Sequence, residues 1–143
     1  MIIATRFIFA ALLAASFGLT SFGASAQDKV VYHFDAGIAQ ATKGLRNIRN
    51  HLDVDPKAQI VAVAHAEGVD FLMEGAKTTN HQEFAALVSD LSARGVKFEI
   101  CEITLKNRNL KKDQFILGPT FTLSGVVRIT NLQAREHFAY LKP

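Results

Sequence analysis

The segment from Lys97 to Thr104 reads KFEICEIT and contains the only cysteine of the 143-residue chain. Its β-branched and aromatic residues predict a short buried strand, with Phe98 and Ile100 on one face and Cys101 at the carboxyl end. The polar, basic segment 105–112 that follows is too rich in Asn and Lys to continue the strand. Open α/β sheets bind ligands at the carboxyl ends of their parallel strands, so a thiol in this position is a candidate functional group. The alternative is a cysteine that packs as a small hydrophobic residue.

The first 26 residues have the pattern of a secretory signal peptide. A basic start at Arg6 precedes an apolar run over residues 7–15, and small residues at 24–26 match the site that a signal peptidase cleaves. A membrane anchor is the alternative, but polar and glycine residues keep the apolar run below the roughly 20 residues that a bilayer span needs. We therefore predict a signal peptide at 1–26, a mature domain at 27–143 and a periplasmic location.

The remaining chain of about 117 residues has the size of one compact domain. The net charge of +3 for the whole chain falls by one with Arg6, and so weak a basic balance predicts no nucleic-acid partner. No apolar segment of membrane-spanning length remains, which predicts no stable membrane insertion after cleavage. A single cysteine excludes an internal disulfide, so the unpaired thiol is either buried and inert, paired between subunits or kept for its reactivity.

The hydrophobic pattern of this domain alternates between strands and helices. Strands are predicted at 29–35, 58–64, 97–101 and 138–141, with a loop or short strand at 116–123. Amphipathic helices are predicted from Gly37 to the Asp53–Pro56 segment, from an Asn80/Glu83 capping box to Arg94-Gly95, and from Ser124 to Glu136, with a helical turn at 69–73. The alternation indicates a single α/β domain with a mainly parallel sheet flanked by helices.

Three chemically active side chains fall at the ends of the first three predicted strands. These are His33, His65 and Cys101, and in a parallel sheet they share one crevice. A neighbouring imidazolium favours the thiolate, which is the nucleophilic form, and Arg108 or Lys106 would act in the same way or hold an anion. Otherwise the histidines are strand-end residues bonded to carbonyl groups, and the basic cluster is a solvated loop.

Two acidic residues and several missing motifs limit the chemistry. Glu99 and Glu102 flank Cys101 and raise its pKa if they lie close to it. No C-x-x-C, H-x-x-x-H or H-E-x-x-H spacing occurs, so no metal site is predicted. Dinucleotide-binding, P-loop and G-x-S-x-G motifs are also missing, and we predict no cofactor.

Short segments follow one another in a characteristic order along the mature chain. They are VVYHF at 30–34, IVAVAH at 60–65 before the Gly68-Val69-Asp70 loop, ARGVKF at 93–98, FEICEITL at 98–105 followed by Lys-Asn-Arg, SGVV at 124–127 and FAYLKP at 138–143. This order resembles the DsrE/DsrF-like family, which includes sulfur-relay subunits such as TusD and the YchN-like proteins. The resemblance implies a small flavodoxin-like α/β fold that forms dimers, trimers or hexamers. It also implies that Cys101 matches the cysteine that carries sulfur as a persulfide in sulfur-relay members.

The first hypothesis is an exported DsrE-like protein in which Cys101 accepts or passes sulfur, or reacts reversibly with small thiols. Its thiolate attacks a sulfane-sulfur donor, either a small molecule or a partner protein, to give a persulfide. In this hypothesis His65 or His33 favours the thiolate, and Arg108 or Lys106 offsets charge. The sequence leaves open whether such a protein acts as a sulfurtransferase-like carrier.

Two alternatives belong to other functional classes. One is a non-catalytic homo-oligomeric binding or scaffold protein in which Cys101 is structural. The other is a metal-binding protein that uses Cys101 with His65 or His33.

Overall fold

The computed structural model describes residues 27–143, and the predicted signal peptide at 1–26 lies outside the described residues. The described elements are, in chain order, β1 (Lys29–Phe34), α1 (Gly37–Val54), β2 (Gln59–Ala64), α2 (Phe84–Ala93), β3 (Lys97–Cys101), α3 (Glu102–Arg108), β4 (Thr120–Thr122), α4 (Gly125–Ala134) and β5 (Ala139–Leu141). Two 3₁₀ segments, Ala66–Leu72 and Lys112–Gln114, follow β2 and α3. Within residues 27–143, no helix combines the length and the apolarity needed to cross a bilayer.

The five strands form one sheet in the order β4-β3-β2-β1-β5, and every strand pairing in it is parallel. Helices lie in the connections because a parallel pair needs a long crossover from the end of one strand to the start of the next. Strand β2 is buried from Ile60 to Ala64, as its near-continuous apolar run predicts for the centre of a parallel sheet. The predicted α/β domain is therefore confirmed, and all carboxyl strand ends meet at one edge of the sheet.

The two faces of the sheet bury different cores. The larger core packs β-strand residues such as Phe34 and Ile100 against α1 and α2, whose buried residues include Leu45 and Phe84. The smaller core lies on the opposite face and comprises Val31, Val61, Val63, Ile129, Leu132 and Phe138. Since side chains alternate along a strand, Cys101 points to the face of this smaller core, opposite Ile100.

Several predicted boundaries are confirmed by local contacts. Helix α1 ends at Val54, just before Pro56, and Gly95 follows α2 in a left-handed conformation with φ +92°. The Ser124 hydroxyl accepts a hydrogen bond from the Val127 N–H and caps α4. These features depend on short-range interactions, which a sequence pattern represents well.

The predicted capping box at Asn80 and Glu83 is wrong. Helix α2 begins only at Phe84, and the preceding residues form a turn around the buried Thr78, whose hydroxyl accepts hydrogen bonds from the N–H groups of Asn80 and Gln82. A hydroxyl from outside the capping motif satisfies these donors, so the motif does not start the helix.

The polar segment after β3 does not continue the strand, as predicted, but the loop considered for its basic cluster is helical in its first part. Residues Glu102–Arg108 form α3, in which Thr104 and Leu105 are buried. Asn109 ends this helix in a left-handed conformation with φ +53°, which asparagine tolerates better than most residues. The asparagine that suggested a loop is therefore the helix terminator, and Cys101 sits at a tight strand-to-helix junction.

Candidate functional site

Cys101 lies at the end of β3, where its thiol is surrounded by hydrogen-bond donors. The residue is only 4% exposed, and its burial by itself raises the pKa of the thiol. The Gly125 N–H, the Thr104 hydroxyl and the N–H groups of Thr104 and Ile103 outweigh this effect and hold the pKa of Cys101 below its usual value. The Thr104 oxygen also accepts a hydrogen bond of 2.9 Å from the Ala66 N–H, which fixes it in place. The environment therefore favours the thiolate.

A cleft of about 440 Å³ opens beside this thiol. Cys101, His65, Thr104, Arg108 and Val126 are among its lining residues. A larger hollow of about 710 Å³ lies near the amino end of β2, but neither the thiol nor His65 lines it. The chemistry of the smaller cleft makes it the candidate functional site.

His65 and His33 are brought together behind the cleft. Extending the β2–β3 register by one residue beyond the Ala64–Ile100 pair places His65 beside Cys101 on the neighbouring strand. The Nε2 atoms of His65 and His33 lie 2.6 Å apart, and the two rings stack with centroids 4.7 Å apart. His65 lines the cleft, whereas His33, on β1, lies on the side of His65 away from β3 and is not among the lining residues. Of the two predicted histidines, only His65 therefore shares the cleft with Cys101.

The protonation of His33 is controlled by its neighbours. Its Nδ1 lies 2.6 Å from the Tyr140 hydroxyl, and its Nε2 lies 3.9 Å from an Asp35 carboxylate oxygen. Burial and the nearby charge of His65 lower the pKa of His33, although Asp35 opposes them. The imidazole is thus favoured in its neutral form, with a lone pair available on one ring nitrogen.

The two predicted basic residues have different positions. The Arg108 Nη1 donates hydrogen bonds of 2.7 Å to Asp70 Oδ1 and 3.0 Å to the Ala66 carbonyl, and the side chain lines the cleft. Lys106 is exposed on α3 and is not among the lining residues. An anion in the cleft would therefore meet Arg108 rather than Lys106.

Both acidic neighbours of Cys101 are paired with cations. Arg128 donates two hydrogen bonds to the buried Glu99 carboxylate, at 2.8 and 3.1 Å. Glu102 forms an ion pair with Lys112. These pairings offset the two negative charges, which would otherwise raise the pKa of the neighbouring thiol.

Gly125 completes the site, although no sequence motif marks it as a functional residue. A Cβ at this position would lie 3.1 Å from the His65 Cβ and 3.3 Å from the Cys101 Cβ, closer than most side chains tolerate. The missing side chain lets α4 start close enough for the Gly125 N–H to reach the thiol. Its sequence signals are its place directly after the Ser124 cap and within the SGVV segment at 124–127.

We predict that Gly125→Ala raises the pKa of the Cys101 thiol, because the added methyl group pushes the N–H donor away. Loss of one charge-assisted hydrogen bond of about 1.5 kcal/mol would leave about tenfold less thiolate at any pH well below the pKa of both thiols. The pH dependence of alkylation by iodoacetamide measures this change. Val127→Ala, at an exposed position of the same helix, is the matched control. Equal alkylation profiles for Gly125→Ala and the unaltered protein would contradict the assignment of Gly125 as a donor.

Comparisons with known proteins agree with this architecture. The model of the DsrE/DsrF-like family matches residues 3–143. The structure of MTH1491 from Methanobacterium thermoautotrophicum, a protein of unknown function, is similar at a TM-score of 0.73 and 28% identity, over 82% of this chain and all of that one. The ychN protein from E. coli shares the fold at a TM-score of 0.66 and 13% identity, over 82% of this chain and 99% of that one. No curated protein matches the chain. The family match spans nearly the whole sequence, and the chain therefore belongs to the DsrE/DsrF-like family.

Proposed function

We propose that this protein is an exported sulfur-handling protein that carries sulfur as a persulfide on Cys101. The observation that carries the proposal is the thiol itself, placed beside a cleft and surrounded by donors that lower its pKa. A thiol that only filled space in a core would need no such set of donors. Membership of the DsrE/DsrF-like family supports the same class of chemistry.

The proposed reaction is the transfer of one sulfane sulfur. The Cys101 thiolate attacks the terminal sulfur of a donor persulfide, R–S–SH, and forms a new S–S bond at Cys101. The S–S bond of the donor breaks, and the donor leaves as the thiolate R–S⁻, so that charge and protons balance without a further oxidant. N–H groups that stabilise the starting thiolate also compensate for the burial of charge during this exchange.

The neighbouring side chains have distinct proposed roles. His65 lines the cleft and exchanges protons with the incoming or leaving sulfur. His33 contacts the His65 Nε2 from outside the cleft lining and orients the ring. Arg108 lines the cleft and offsets the charge of an anionic donor. Lys106 is the weaker candidate for this role because its side chain is exposed outside the cleft lining.

The proposal includes the location and partners of the protein. Export to the periplasm is supported by the signal-peptide pattern of residues 1–26. Self-association is supported by exposed apolar side chains around the start of α4, at Leu123, Val126 and Val127, since such patches commonly form protein contacts. The sulfur donor is a small sulfur-containing molecule or a partner protein. Nucleic-acid binding and stable membrane insertion are not part of the proposed function.

A second candidate is a homo-oligomeric scaffold with a structural cysteine. The observation in its favour is the burial of Cys101, which is nearly complete. A reagent must therefore approach the thiol through the cleft, and native reactivity distinguishes the two functions.

We expect the native protein to gain the mass of sulfur at Cys101 after treatment with inorganic polysulfide. Intact-mass spectrometry measures the gain, dithiothreitol should reverse it, and Cys101→Ser should show none. Denatured protein serves as the reference for full access to the thiol. If the denatured protein gains sulfur and the native protein does not, the persulfide proposal fails and the scaffold is favoured.

A further inference from the structure

Three metal-ligating side chains converge at the carboxyl ends of β1 and β2. Among the described residues, His33, Asp35 and His65 each offer one ligand atom, and these atoms all lie within 4.8 Å of one another. His33 and Asp35 lie beyond His65 on the β1 side of the sheet, away from β3 and the thiol, and Cys101 is not a member of the group. Two imidazoles and a carboxylate are a ligand set that suits Zn²⁺ and similar divalent transition-metal ions.

The outer contacts of His33 orient it for such a role. Its Nδ1 lies 2.6 Å from the Tyr140 hydroxyl, which accepts the proton in the tautomer that carries it on Nδ1. This arrangement leaves Nε2 with its lone pair directed at His65. Metal-binding histidines are typically held by a hydrogen bond at the nitrogen that does not bind the metal.

Asp35 is oriented in a comparable way by Gln40. The Gln40 amide group donates a 3.2 Å hydrogen bond to Asp35 Oδ1, while its oxygen accepts from the N–H groups of Asp35 and Ala36. The second carboxylate oxygen, Oδ2, faces His33 Nε2 at 3.9 Å. This oxygen also accepts a 2.6 Å hydrogen bond from Lys142, a half-exposed side chain next to the last residue.

We propose that His33, Asp35 and His65 form a binding site for a divalent transition-metal ion such as Zn²⁺. Ligation through both Nε2 atoms requires His65 to carry its proton on Nδ1. The two Nε2 atoms move from 2.6 Å apart to about 3.3 Å, the separation set by Zn–N bonds of about 2.0 Å at a tetrahedral angle. The ion replaces the Lys142 ammonium as the positive partner of Asp35. Three protein ligands leave one position for water or a second ligand.

The competition with Lys142 gives the proposal a distinctive test. We expect untagged protein to bind one Zn²⁺ in calorimetry, and Lys142→Met to bind it several-fold more tightly because the competing cation is gone. His33→Asn and His65→Asn should weaken binding by more than about 100-fold, beyond the roughly 10- to 100-fold effect of losing an outer contact. His81→Asn, at an exposed position whose left-handed backbone asparagine tolerates, should leave the affinity unchanged.

A second readout separates this site from the thiol and from misfolding. Cys101→Ser should retain the full affinity, and Zn²⁺ should raise the melting temperature of Lys142→Met, a variant at an exposed position that leaves all three ligands intact. The proposal is overturned if Cys101→Ser abolishes binding, if Lys142→Met binds no more tightly than the unaltered protein, or if the folded His33→Asn and His65→Asn variants bind equally well. None of these outcomes depends on whether Cys101 carries sulfur.

Discussion

Replacing Gly68 with alanine is expected to lower the free energy of unfolding by about 3 kcal/mol or more. Gly68 lies in the 3₁₀ segment after β2 and packs directly on the end of β1. A Cβ on Gly68 would lie 2.1 Å from the Phe34 carbonyl oxygen and 2.5 Å from the Asp35 nitrogen. Both are backbone atoms at the carboxyl end of a central strand, so they cannot rotate away. The whole segment must shift, and His65 shifts with it because its carbonyl accepts the Gly68 N–H at 2.8 Å.

Urea denaturation of the folded variants measures this effect. Gly75→Ala is the matched control, because Gly75 has a φ of +72° but no neighbouring atom within 4 Å of an added Cβ. Its cost is the backbone strain alone, about 1–2 kcal/mol. A Gly68→Ala variant that is no less stable than Gly75→Ala would show that the close packing of the 3₁₀ segment on β1 is wrong.

Arg128→Met is expected to destabilise the protein by about 3 kcal/mol, because it leaves the Glu99 carboxylate buried without a cation. Glu99 is 8% exposed and is held by two hydrogen bonds from the Arg128 guanidinium. It lies two residues before Cys101 on the same face of β3, so an unpaired charge there would also disturb the site. The effect on stability is measured by chemical denaturation near neutral pH.

Two further variants test the origin of this effect. Adding Glu99→Gln to Arg128→Met removes the buried charge and should restore part of the stability, which a double-mutant cycle quantifies. Glu136→Gln removes the other, more exposed partner of Arg128 and should change stability by less than about 1 kcal/mol. An Arg128→Met protein as stable as the Glu136→Gln protein would mean that Glu99 is solvated rather than buried.

Much of the fold could be predicted from local patterns. The apolar run of β2, the helical spacing of α1 and the Ser124 cap all appear in the structure as expected. Each depends on residues a few positions apart, whose preferences do not require knowledge of the remaining chain. The failures at Asn80 and at α3 arose where the neighbouring Thr78 hydroxyl or a single left-handed residue overrode the expected pattern.

The candidate site was predictable only in outline. Parallel strands place their carboxyl ends at one edge, so strand assignment alone brought His33, His65 and Cys101 to the same region. Which of them touch depends on strand order and register, and these pair His33 with His65 rather than with the thiol. Asp35, Tyr140 and Gly125 were not predicted because their roles arise from neighbours on other elements.

The sequence by itself determined an α/β domain with a lone thiol at the end of its third strand, because periodicity and residue type are local properties. Only the tertiary structure determined which groups surround that thiol and set its pKa. Its N–H donors come from α3 and α4, the charges of Glu99 and Glu102 are offset by distant cations, and Arg108 rather than Lys106 lines the cleft. The physical reason is that the pKa of a thiol depends on groups within a few ångströms in space, and the Gly125 N–H and the cations that pair with Glu99 and Glu102 are supplied by other parts of the chain.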